Sequence, residues 1–204
     1  TAMAATAYGR IAEVLPIPGA AMVRGVALMH SGANLAQTAT ILVWSSLLTI
    51  SMVGLCASFP LILAVPAVGW FVAAGSLAGI LVSAIWLLRQ SGVLLVCSMI
   101  VLRIANVGLS VLRFWACFAA IGFAVPIAKA ALFVVAGSVT TYVGIIPGGL
   151  GISEFLSAGL AVIVDILPSA AFLAAAINRI AGLAVSGIVA LIITAPANLS
   201  VKEI

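Results

Sequence analysis

The chain has 204 residues, 66% of them hydrophobic and 6% charged, with a formal net charge of +4 and a mean hydropathy of +1.44. A soluble domain needs roughly 25% charged residues to face water, so this composition excludes a soluble globular protein and makes the bilayer the solvent. The excess positive charge forms no basic run, so nucleic acid is not an expected partner.

The first residue is Thr1, and no basic segment with a cleavage site follows it. The chain is therefore read as part of a longer polypeptide, a single transmembrane domain lacking N-terminal helices. VLPIPG at residues 14–19 opens the first apolar region, Ala20 to Met29, which is too short to span. Pro18 and Gly19 form its hinge, and Arg24 follows. Four segments reach the roughly 20 apolar residues that a spanning helix requires. They are Leu35 to Ser58, Pro66 to Leu88, Val93 to Phe123 and Ser169 to Thr194. Turn signals mark their ends: Phe59-Pro60, Arg89-Gln90-Ser91-Gly92, Val125-Pro126 and Ala195-Pro196.

Between the last two spans lie two short arms, Ala130 to Ile146 and Leu150 to Val164, hinged at Pro147-Gly148-Gly149 with Gly151 just beyond. Read plainly, they are two thin helices joined by a loop. The sharper reading is a re-entrant hairpin with its tip buried in protein, because free backbone groups cannot face lipid. If Arg89 and Lys202 are cytoplasmic, the two Pro-Gly hairpins enter from opposite faces. The expected fold is then an all-α polytopic membrane bundle with two re-entrant helical hairpins related by an inverted repeat. Residues 14–88 form its first half, 93–125 a connecting polar-striped helix, and 126–195 its second half.

On the third span Arg103, Asn106, Ser110, Arg113 and Cys117 recur at steps of three and four, which places them on one helical face. The arginines are about 15 Å apart along the axis. At least one is therefore deep, unless each snorkels to its nearer surface. Arg179, beside Asn178, lies near the middle of the last span and needs an interior partner. Glu154 is the first candidate and Asp165 a poorer one. Glu154 also suits the first turn of a helix, where an acid meets the positive end of the dipole. Interior charge is thus mainly positive: Arg24, Arg103, Arg113 and Arg179 against Glu154. Guanidinium forks fit phosphate, and free amides at Gly148 and Gly149 would add donors. The expected ligand is a membrane phospholipid headgroup.

Cys56, Cys97 and Cys117 read as small core residues, and His30 has no ligand partner nearby. No metal, cofactor or catalytic constellation is expected. Repeated charge rings or filter-like segments, which a channel would show, do not appear.

VTTYVGIIPGGLGISEFLSAGLAVI followed by AAFLAAAINRIAGL resembles the C-terminal signature of the lysylphosphatidylglycerol synthase/flippase transmembrane family. Pro147, Gly148, Gly149, Leu150, Gly151, Glu154 and Arg179 match its Pro-Gly-Gly-Leu-Gly turn, its Glu three residues on and its Arg in the next helix. VLRFWACFAAIGFAVPIAKAALF is similar to the helix and loop before that turn. PIPGAAMVRGVALMHSG is more loosely similar to the family's first Pro-Gly motif, with Arg24 as its arginine. The resemblance implies a phospholipid flippase domain of a prokaryotic cytoplasmic membrane, moving anionic or aminoacylated lipid. The alternative is a non-transporting module that holds lipid for an associated synthase or glycosyltransferase. A homo-oligomer fits either.

Overall fold

The computed structural model describes residues 34–143 and 151–199. Among them the chain is helical throughout, with no strand. The six helices are α1 (Leu35–Ala64), α2 (Pro66–Ser91), α3 (Val93–Ala120), α4 (Ile127–Val143), α5 (Ile152–Ile163) and α6 (Pro168–Leu199). Four of them, α1, α2, α3 and α6, are long and apolar enough to cross a membrane. The first Pro-Gly hairpin, with Pro18, Gly19 and Arg24, lies outside the described residues, as do Pro147, Gly148 and Gly149.

Two expected helix ends are corrected. Phe59-Pro60 does not stop the first span: α1 runs through Pro60 for another turn. Ala195-Pro196 likewise falls inside α6. Proline removes one backbone donor, but packed neighbours and local adjustment make that tolerable in membrane helices. The real break after α1 is Val65, extended at φ −138°, with Pro66 opening α2. Pro66 suits that position because its missing N–H is unpaired there anyway.

α1 and α2 pack as an antiparallel pair with small residues at their seam. Trp44 stacks on Trp86 with centroids 5.2 Å apart. Along the pair, Ser51 fills the space at Gly79, Ser76 fills that at Gly54, and Gly69 rests against the backbone of Ile62. Apolar burial from lipid drives nothing, so close van der Waals approach must hold such helices together.

Just past the end of α3 comes Gly122, whose φ of +80° belongs to the left-handed region. The Phe123 N–H then reaches back to the Phe118 carbonyl at 3.0 Å, closing the helix. Asp165 does the same after α5 at φ 54°, with the Ile166 N–H bonded to the Ala161 carbonyl at 2.9 Å.

α4 is the centre of the bundle. Ala130, Ala131, Leu132, Phe133, Val134 and Ala136 are all buried, and the helix touches α1, α3 and α5. Phe133 meets Phe118 and Phe114 of α3, with centroids 5.1 and 6.3 Å apart. The cysteine expectation holds for one residue only: Cys117 is buried, whereas Cys56 and Cys97 are exposed on their helices. A thiol is apolar enough to face lipid.

Glycine substitutions separate packing from propensity. A Cβ at Gly69 would collide with the Ile62 backbone, which cannot yield, whereas one at Gly75 meets nothing within 4 Å. Gly69→Ala is expected to cost about 1–3 kcal/mol, and Gly75→Ala to be neutral or slightly stabilising. Thermal unfolding in detergent micelles compares the two.

Candidate functional site

α5 begins at Gly151, whose φ of +87° turns the chain into the helix, and the Phe155 N–H makes the first helical bond to its carbonyl at 2.8 Å. Ser153, Glu154, Ser157 and Ala161 are the buried residues of α5. Their spacing puts them on one face. Glu154 therefore has both expected roles: it lies in the first turn, where the dipole favours an acid, and it faces inward.

Its partner is Arg179. The Arg179 Nη1 lies 3.3 Å from the Glu154 Oε1, and the two side chains are 19% and 8% exposed. The Ser153 hydroxyl donates to Oε2 at 2.8 Å. The pairing follows from topology: α6 turns back along α5 after Asp165, which brings the middle of α6 level with the start of α5. Phe155 and Phe172 pack edge to face across the same pair, with centroids 5.7 Å apart. Asp165, the poorer candidate, is exposed in the turn.

Arg113 approaches the other flank of α6. Its Nη2 donates to the Asn178 backbone carbonyl at 2.8 Å, and it lies over the turn that ends at Gly182. A Cβ on Gly182 would stand 2.8 Å from that nitrogen. Arg103 turns elsewhere, to the Ser45 hydroxyl of α1 at 2.8 Å. Both arginines of α3 are thus part-buried and bonded to neighbouring helices. Asn106 is exposed, and the Ser110 hydroxyl bonds back to the Asn106 carbonyl at 2.9 Å. Neither is hydrogen-bonded to the Glu154–Arg179 pair.

Several residues of this region escaped the sequence reading: Ser45, Ser157 and Gly182, along with the Asn178 carbonyl. Gly182 had a readable signal, because Ala171, Ala174, Ala175, Asn178 and Gly182 form a small-residue stripe on α6. Such stripes mark close approach between membrane helices. Lys129 was also missed. Its Nζ donates to the Val164 carbonyl at 2.7 Å, tying the start of α4 to the end of α5 and placing a cation at a helix C-terminus.

The described helices and this interior define a class: an integral membrane protein, helical throughout its described residues, that holds a carboxylate–guanidinium pair inside its bundle. No protein-family model, curated protein or solved structure matches the chain.

Breaking a buried ion pair by removing one partner typically costs 3–5 kcal/mol, because the other charge is left uncompensated. Arg179→Leu and Glu154→Leu should each lower stability strongly, and the double variant should recover part of the loss. A double-mutant cycle on thermal stability should yield a coupling of about 1–3 kcal/mol; additive losses would mean that the two charges do not depend on each other.

Proposed function

We propose that the chain is a phospholipid-translocating domain whose interior arginines take an anionic headgroup. One observation carries the reading: inside a bilayer protein, Glu154 occupies Arg179 at 3.3 Å as an internal anion, a place that a lipid phosphate can take over. An Arg at mid-membrane depth costs about 2.5–3.5 kcal/mol on insertion scales, so such residues persist where they serve a polar path. Arg113 of α3, bonded to the other flank of α6, would steady the same phosphate, and Arg103 would guide it along α3. The residues that resemble the lysylphosphatidylglycerol synthase/flippase family, Gly151, Glu154 and Arg179, are those that build the pair.

The α4–α5 arms are re-entrant in this reading. Their 17 and 12 residues are roughly 25 and 18 Å long, short of a hydrocarbon core of about 30 Å. The Lys129–Val164 bond ties the start of α4 to the end of α5, which supports the reading that both ends of the hairpin lie on one side. In a cysteine-free background, single cysteines at positions 128 and 165 should react with a membrane-impermeant reagent from the same side. Labelling from opposite sides would mean that the two arms together cross once, and labelling of a cysteine at position 148 from the far side would mean that each arm crosses.

Translocation is tested with the full chain in liposomes carrying fluorescent phosphatidylglycerol. Hydrogen bonds to charged groups contribute about 1.5–3 kcal/mol, so Arg113→Gln and Arg179→Gln should slow transfer about tenfold or more, while Gly75→Ala should not. Equal rates in all variants would overturn the assignment. Bound lipid that never exchanges, with no transfer even by the unmodified chain, would favour the lipid-holding module.

A further inference from the structure

We infer that the outward face of α3 is the surface by which two copies of this chain associate side by side in the membrane, with Asn106 as its polar contact. The inference is independent of lipid translocation, because it uses neither the Glu154–Arg179 pair nor the arginines of α3.

Of the four spanning helices, α3 is the least buried within the bundle. Val107, Phe114, Cys117 and Phe118 form its inward face, and Arg103 and Arg113 reach sideways to α1 and α6. Most of the opposite side would suit lipid, but Asn106 does not. It is exposed, ten residues from Val96 and fourteen from Ala120, hence about 15 and 21 Å from the ends of the span. So short a side chain cannot snorkel to water from that depth. Among the described residues no hydrogen bond reaches its amide; only its backbone carbonyl is met by a side chain, the Ser110 hydroxyl at 2.9 Å. Acyl chains offer neither donor nor acceptor, and an amide left among them is costly. Asn106 therefore calls for a polar partner from outside the described bundle.

The residues around it say what that partner is. Leu102, Ala105, Leu109, Leu112, Ala116 and Ala119 are all exposed and follow one another at alternating steps of three and four. That is the 3.5-residue period of a left-handed helix pair crossing at about 20°. The seam is about 26 Å long, more than the ten-residue apolar run Ala20 to Met29 can line. A second α3 matches it in length and period. Copies inserted in one orientation present parallel α3 helices, so each layer of the seam meets its own residue, and the alanines let the backbones approach closely. Asn106, beside the Ala105 layer, completes the match. An amide carries both donors and acceptors, so it satisfies its own copy or the backbone next to it, and a two-fold contact serves both chains at once. An arginine or a glutamate in that place would repel its copy.

Cross-linking of the full chain in liposomes reads the surface directly. In a cysteine-free background, Ala105→Cys and Leu109→Cys should each give a disulfide-linked dimer under mild oxidation. Ile104→Cys should not, although Ile104 is 60% exposed, because it lies off the seam. Single-molecule photobleaching over a dilution series in lipid then measures association. Asn106→Val should weaken it about tenfold, and Asn106→Gln, which keeps the amide, should retain most of it. Ala105→Leu should weaken it by holding the backbones apart. Equal cross-linking at Ile104 and Leu109 overturns the proposal, as does a chain that stays single at every density. Association unchanged in both Asn106→Val and Ala105→Leu overturns it too. None of these readouts depends on whether the protein moves lipid, so the translocation reading stands or falls separately.

Discussion

A carboxylate and a guanidinium held together in a solvent that tolerates neither alone is the constraint around which this bundle is arranged. Glu154 can be buried because Arg179 meets it, and Arg179 can sit mid-helix because α6 folds back along α5. Water would screen such a contact to near nothing, but a buried protein interior screens it far less. Ionic pairing therefore acts here as a positional restraint on two helices.

The arginines of α3 extend the same logic outward. Arg103 reaches α1 and Arg113 reaches α6, so one helix is tied to both sides of the bundle through polar bonds. Between these ties the packing is apolar and close, with α4 and its Phe133 contacts at the centre. Polar contacts give the interior its register, and small-residue packing gives it its density. Hydrophobic transfer contributes little to either, since lipid is as apolar as the core.

Much of this was legible from the chain alone. The four long apolar helices, the short arms and the Glu154–Arg179 pair follow from run lengths and from the scarcity of charge: with so few acids, Arg179 had little choice of partner. Proline was the main source of error. Pro60 and Pro196 read as stops under soluble rules, yet both lie within helices. The α3 stripe was legible as a face but not as a set of contacts. Periodicity places Arg103, Asn106 and Arg113 together, whereas a side chain's destination depends on which helix lies beside each turn. The Ser51–Gly79 and Ser76–Gly54 contacts were invisible for a related reason, since small residues carry no pattern strong enough to set an interhelical register.

The single residue Val65 between α1 and α2 has a consequence for biogenesis. With no polar loop at that junction, nothing hydrophilic has to be carried across the hydrocarbon there. The two spans can enter as one preformed wedge, zipped along its serine–glycine seam. Once in place, that junction gives a protease or an antibody almost nothing to grip.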